Sequence, residues 1–387
     1  MLRHFFTLIW NKRRTHALLI IEIWASFLVL FGVLTFLISN FRNYREPIGF
    51  SYENVWVLEL NNNEDTTNIG DKVQAIMQRI RSYPEVESAS RMSSNTPFSM
   101  SNMNNGITYN NVHTMAEFYR SDEALAQTLD LKLVAGRWFG PQDRAAQYTP
   151  LVINRKFQEK LFPNENPIGK VIKQDDKHAW KVIGMVDHFK GKGEFTGNTP
   201  AVFESLMNTD WDKNILIKTR PGTDANFEAR LVKDVLGVGQ GWGAEVTYLT
   251  ESRKNQHNLT LVPVIVFVII STFLLINVGL GLFGILNLNI ARRKSEIGLR
   301  RAMGATEKTV SMQFLGEIWV LATFSLLLGL LFAVQFPLLN VFDMDANIYV
   351  LAIMAAVGVI YLLVTLCAWY PSRQASLVQP AVALHEE

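Results

Sequence analysis

Lysine, arginine, aspartate and glutamate are absent from three long stretches of the chain, residues 255–291, 318–342 and 346–372, and a fourth apolar stretch, 17–38, is broken only by Glu22. Each exceeds or matches the roughly 20 helical residues that cross about 30 Å of hydrocarbon. The pattern predicts four transmembrane helices, at 17–41, 258–291, 313–337 and 348–370. The long segment between the first two changes period. "VWVLEL" alternates and is β-branched, as a strand is; "DKVQAIMQRIRSY" then places Val73, Ile76, Met77 and Ile80 on one helical face, with Asp71 near its start and Pro84 after its end; "EVESASRM" returns to strand.

The same grammar recurs near the end of that segment. "NILIKT" reads as a strand, "DANFEARLVKDVLG" as a helix with Phe227, Leu231 and Val235 aligned and Gly237 closing it, and "AEVTYLT" as a strand. Two βαβ halves, 42–100 and 211–257, thus flank an insert, 101–210, whose short runs "LVIN", "GKVIKQ", "WKVIGMVDHF" and "PAVFES" predict a β-rich subdomain. The fold class is α-helical membrane protein with a large α+β domain, split by the insert. The polar stretch "SSNTPFSMSNMNNGITYNN" is the candidate mobile loop.

Charge sets the orientation. Arg3, Lys12, Arg13 and Arg14 precede the first helix, and Arg292, Arg293, Lys294, Arg300, Arg301 and Lys308 lie between the second and third, whereas "PLLNVFDMDAN" between the third and fourth has no basic residue. An amphipathic lead-in (1–16), the segment 292–312 and a tail (371–387) are therefore expected in the cytoplasm. The domain 42–257 and the short loop 338–347 are expected outside the inner membrane, despite Arg42 and Arg45. The first apolar stretch is longer than a signal-peptide core and reads as a retained anchor. The single cysteine, Cys367, falls in the fourth helix, so the outer domain must be held by its own core. A net charge of +2 says little about partners, and no nucleic-acid partner is expected.

Candidate chemistry is sparse. A phosphate-cradling G-x-x-x-x-G-K-[ST] segment is absent: Gly169-Lys170 is followed by valine and Gly191-Lys192 by glycine. Asp187-His188 shares no ligand spacing with His113 or His178, and no catalytic triad stands out, so no metal, cofactor or catalytic residue is assigned. Two features remain within the membrane part. Glu22 sits about five residues inside the first helix, where an acid reaches headgroups or a neighbouring helix. Asn277, Gly279, Gly281, Gly284 and Asn287 place small and amide side chains along the second helix, suited to close helix contact or dimerisation.

Between the second and third helices, "RRKSEIGLRRAMGAT" reads as a complete short helix on the cytoplasmic side. Ser295 is its expected cap, Glu296 suits its first turn, Gly304 ends it, and Thr306 caps the next helix. Basic residues alone would hold topology and bind anionic lipid. A capped, rigid helix suits being gripped by another protein.

That segment, with "VGLGLFGILNLNIA" before it, resembles the E-I-G-x-R-x-A-x-G-A region of MacB/FtsX-type ABC transporter permeases, here Glu296, Ile297, Gly298, Arg300, Ala302, Gly304 and Ala305, with Leu299 and Arg301 between. "WNKRRTHALLI", "VINRKFQEKLFPNENPIGKVI" and "WKVIGMVDHFK" are similar to other parts of the family. So is the C-terminal pattern of Pro371, Arg373, Ala375, Pro380, Ala383 and Leu384. The resemblance implies a permease paired with a second copy or a paralogue, and with two copies of a separate ABC ATPase docked on a coupling helix at 296–305. Such a permease passes ATPase motion to its outer domain to export or extract a peptide, lipoprotein or drug-like molecule. Whether a periplasmic adaptor and an outer-membrane channel join it stays open. The alternative is a regulator of an extracytoplasmic partner such as a cell-wall hydrolase, without transport.

Overall fold

A computed structural model describes residues 13–174, 179–206 and 212–376. The lead-in through residue 12, His178, and the tail from 377 with Pro380, Ala383 and Leu384 lie outside the described residues. The main helices are α1 (Arg13–Arg45), α2 (Ile69–Arg81), α3 (Arg155–Leu161), α4 (Ala225–Gly239), α5 (Leu249–Arg292), α6 (Lys294–Ala302), α7 (Glu307–Ala333) and α8 (Ala346–Ser376). The chain divides into two compact units, one of residues up to Phe41 with those from Leu261 onward, the other Arg42–Thr260.

In the first unit, α1, α5, α7 and α8 each contain a stretch long and apolar enough to cross a membrane. Residues Leu19, Ile23, Phe27 and Phe31 recur every fourth position on α1 and pack with Val278, Leu282 and Leu286 of α5, Ile318, Ala322 and Leu326 of α7, and α8. On α8 the buried stripe is Ala352, Ala356, Ile360, Val364 and Ala368, small residues that let helices approach closely. Gly329 of α7 receives the Phe27 ring, which would overlap any Cβ placed there. Between α7 and α8, Trp319 donates to Thr365 at 3.0 Å and the Thr323 and Tyr361 hydroxyls meet at 2.7 Å. By contrast, only 11% of the apolar window of α5 is buried.

The second unit is built on one sheet of eleven strands: β1 (Val55–Asn61), β2 (Val86–Met92), β3 (Asn104–Tyr109), β4 (Val112–Ser121), β5 (Leu133–Gly136), β6 (Thr149–Asn154), β7 (Val171–Lys173), β8 (Ala179–Val186), β9 (Ala201–Ser205), β10 (Asn214–Thr219) and β11 (Gly243–Tyr248). The path β11-β1-β10-β2 is antiparallel throughout. Each βαβ half therefore skips a position that the other half fills, and neither half can form its sheet alone. Val73, Ile76, Met77 and Ile80 of α2 and Phe227, Leu231 and Val235 of α4 cover one face, against Trp56, Leu58, Ile215 and Ile217.

The insert continues the same sheet as β4-β9-β6-β8-β5, joined to β2 through the single pair Met92↔Ser121. It mixes parallel pairs, β4 with β9 and β6 with β8, with antiparallel ones. α3 lies in it, capped by the Asn154 side chain accepting from the Phe157 amide at 2.9 Å.

Local expectations are corrected in two places, and three of the long helices run beyond their apolar stretches. The polar stretch assigned to a mobile loop contains β3, paired along its length with β4. The two strands turn at Asn110 and Asn111, both with positive φ, the primed-turn geometry that asparagine tolerates. Gly237 lies inside α4, which runs on to Gly239 before Gln240 takes the left-handed cap. The second membrane helix starts at Leu249, directly after β11, and the fourth continues to Ser376, with Pro371 inside it. The first extends to Arg45, beyond the apolar stretch, because a helix ends where its backbone stops bonding and not where hydropathy falls.

Candidate functional site

The α5–α7 connection folds as the separate helix α6, one residue after α5 ends. Arg293 occupies the N-cap position with no side-chain capping bond, and Ser295 lies inside the first turn, so the expected serine cap is corrected. The break between α5 and α6 is a single residue, which places the cap before Lys294. At the other end, the Gly304 amide donates to Arg301 O at 3.1 Å and the Ala305 amide to Arg300 O at 3.0 Å, with Gly304 at φ 97°. This pair of bonds is a Schellman closure, which needs a residue free to enter the left-handed region. Thr306 then caps α7, its hydroxyl accepting from the Thr309 amide at 3.2 Å.

Packing orients α6. Ile297 is buried with Val310 and Phe314 of α7, flanked by Ile290 and Ala305, and Gly298 is buried beside it. The charged side chains turn back onto the chain. Arg300 meets Glu296 at 2.5 Å and Gln313 at 2.6 Å; Arg301 meets Ala305 O and Glu307, both at 3.2 Å; Arg293 meets Glu317 at 3.1 Å. An exposed i,i+4 pair such as Glu296 with Arg300 contributes about 0.3–0.5 kcal/mol, so these contacts orient more than they stabilise. Two apolar side chains of α6 and the turn after it stand well exposed, Leu299 at 52% and Met303 at 73%. Four residues apart, they share one face. The sequence reading includes Leu299 and omits Met303, whose signal is its place between the helix end and the closing glycine.

The second-helix residues divide. Gly279 lies against Cys367 of α8 and Gly281 against the Glu22 carboxylate of α1, where ideal Cβ atoms would stand 3.1 and 3.0 Å from those side chains. Both serve packing within the chain. Gly284 has open space beside it, and exposed Asn277 donates to Phe273 O of its own helix at 2.8 Å. Asn287 is half-buried. Asn277, Leu280, Gly284 and Leu288 recur at helical spacing on one exposed face of α5.

The FtsX-like permease C-terminal family matches residues 268–380, and the MacB-like periplasmic core domain matches residues 25–233. The chain is a MacB/FtsX-type ABC transporter permease. It is similar to the macrolide export ATP-binding/permease protein MacB of Pasteurella multocida, at 26% identity over 70% of this chain and 43% of that protein. Against the protein of the same name from Hahella chejuensis the values are 28%, 73% and 44%. The permease thus spans less than half the length of these curated relatives. Among solved structures, the periplasmic region of MacB from Actinobacillus actinomycetemcomitans aligns at a TM-score of 0.39 and 15% identity, over 56% of this chain and 98% of that one. A domain of a putative permease protein from Porphyromonas gingivalis aligns at 0.37 and 13%, over 51% and 92%.

Proposed function

We propose that this permease takes up the motion of a separate ABC ATPase, two copies per complex, through α6 and passes it to the domain formed by residues 42–260. The work done is export or extraction of a peptide, lipoprotein or drug-like molecule. The observation that carries this reading is the construction of α6: closed at its end by Gly304, anchored by Ile297, and offering Leu299 and Met303 outward while its arginines bond back onto the chain. A lever must be rigid, and its gripping surface must be free. Glu296, Ile297, Gly298, Arg300, Arg301, Gly304 and Ala305 act here as the frame of the lever, with Leu299 and Met303 as its contact with the ATPase. The relatives that carry "ATP-binding/permease" in their names support coupling of this permease to ATP hydrolysis. The exposed α5 face with Asn277 and Gly284 is the surface for a second permease, a copy or a paralogue.

The test is purification of the tagged chain from its native membrane in mild detergent, wild type beside Leu299→Asp/Met303→Asp and beside Glu296→Lys, with mass spectrometry and an ATPase assay. The reading expects an ATPase with wild type, its loss from the double aspartate variant, and weaker loss from Glu296→Lys. Recovery of the ATPase with the double variant at the wild-type level overturns the role given to Leu299 and Met303. Absence of any ATPase from the wild type overturns the transporter reading. Stable capture of an extracytoplasmic hydrolase, with ATPase present and no substrate moved, favours the regulator.

A further inference from the structure

The Gly191-Lys192-Gly193 segment, which does not fit the phosphate-cradling pattern, sits in a strap, residues 188–198, that touches four separate parts of the second unit. Toward the C-terminal end of α1, Lys190 is only 1% exposed; its ammonium donates to Asn43 O at 2.6 Å and pairs with Glu46 at 3.1 Å. Asn43 in turn donates to Phe195 O at 2.9 Å, and Phe195 stacks on Tyr44 with centroids 5.3 Å apart. Toward the first turns of α5, buried Glu194 accepts from Arg253 at 2.5 Å and lies 2.5 Å from His257 Nε2, while the His257 ring meets Phe195 edge-on.

The strap also grips the body of the domain. Lys192 donates to Ser99 O at 2.9 Å and Ser101 O at 2.5 Å, and Gly191 O accepts from the Phe98 amide at 2.6 Å. A Cβ at Gly191 would overlap the hydroxyl of Tyr119, a buried residue of β4, so only glycine lets the strap lie this close to the sheet. Gly193 turns the strap at φ 96°. Buried ion pairs are a poor way to gain stability, since desolvation offsets most of the attraction, but they fix one geometry against its neighbours. Here one short segment places a cation against the end of α1 and an anion against the start of α5.

We propose that this strap is a force-bearing latch, with Lys190 and Glu194 as positioning residues that hold the end of α1 and the start of α5 at a fixed separation and tie both to the sheet. Its mechanical role rests on the reading of the chain as a motion-transmitting permease; its geometric role does not. In the full chain in lipid nanodiscs, with Cys367→Ala, spin labels go on Pro47→Cys and Asn255→Cys, both exposed. Pulsed EPR then gives the distance distribution for the parent, Glu194→Gln, Lys190→Met and Arg253→Gln.

A narrow distribution in the parent that broadens in Glu194→Gln and Arg253→Gln is the expected result. Arg253→Gln leaves the buried Lys190 and its partners in place, so it covers the case in which Lys190→Met fails to fold. In complex with the co-purified ATPase, a single label on Gln142 should change its spectrum with ATP in the parent. That change should be lost in Glu194→Gln while the rate of ATP hydrolysis persists. Unchanged widths in Glu194→Gln and Arg253→Gln overturn the latch whatever the ATPase does. A parent that recruits no ATPase overturns the transporter reading instead, and the widths still decide the latch.

Discussion

Glu194 stands between two opposing effects. Burial acts to raise its pKa, but hydrogen bonds from His257 and Arg253 outweigh it and leave the carboxyl below its ordinary value. A carboxylate depressed in this way stabilises the fold above its unfolded pKa, and the contribution disappears as pH falls through the lower, folded value. Thermal unfolding of wild type minus that of Glu194→Gln should therefore be level from neutral pH down to the ordinary glutamate range and shrink only below it. A difference that shrinks between pH 7 and 6 would place the loss on another group and refute the assignment. Little of this was legible in the sequence, because Glu194 is about 60 residues from both Arg253 and His257 and their residue types are unremarkable singly. What could be read were residues whose job is local. Asp71 in the first turn of α2 and Thr306 as the cap of α7 follow from backbone bonding within a few positions. The misplaced cap at Ser295 and the early stop at Gly237 share a cause: both residues are permissive at a helix end, and tertiary packing carried the end elsewhere.

For elements, period was the dependable signal. The 3.6-residue stripes of α2 and α4 became the covered face of the sheet residue for residue. The β3–β4 hairpin was lost because β3 is short, polar and begins with two asparagines, and the Asn110-Asn111 turn lacks the glycine that usually advertises it. Of the two glycines in α7, Gly316 has open space beside it and Gly329 takes the Phe27 ring. One small residue suffices when it stands opposite one large one. Gly329→Leu should overpack this site and destabilise the bundle by about 1–3 kcal/mol. The pair Gly329→Ala with Phe27→Leu, which trades volume across the same contact, should recover part of that loss in detergent thermal unfolding. No recovery would mean that Gly329 is required for backbone flexibility and not for the ring.

For the whole molecule, the order of elements told more than their detail. Two βαβ patterns separated by an insert imply that the halves must meet, and the interleaved path β11-β1-β10-β2 is how they do so. The continuation of that sheet into the insert through one residue pair could not be read, since strand pairing between distant segments leaves no periodic trace. The same limit applies to assembly, where the exposed face of α5 combines an amide, a glycine with open space, and little burial within the chain. Lipid tails cover leucine as well as another helix does, so apolar exposure alone does not mark a partner; a gap beside Gly284 next to a polar Asn277 is better filled by a helix. With Cys367→Ala, Gly284→Cys should form a disulfide-linked pair of chains under mild oxidation in native membranes. Cysteine at Leu331, also exposed but on α7, should not. Linkage at Gly284 between two copies favours a homodimer, linkage to a different permease chain carrying its own cysteine favours a paralogue, and equal linkage at both positions reduces the α5 face to ordinary lipid-exposed surface.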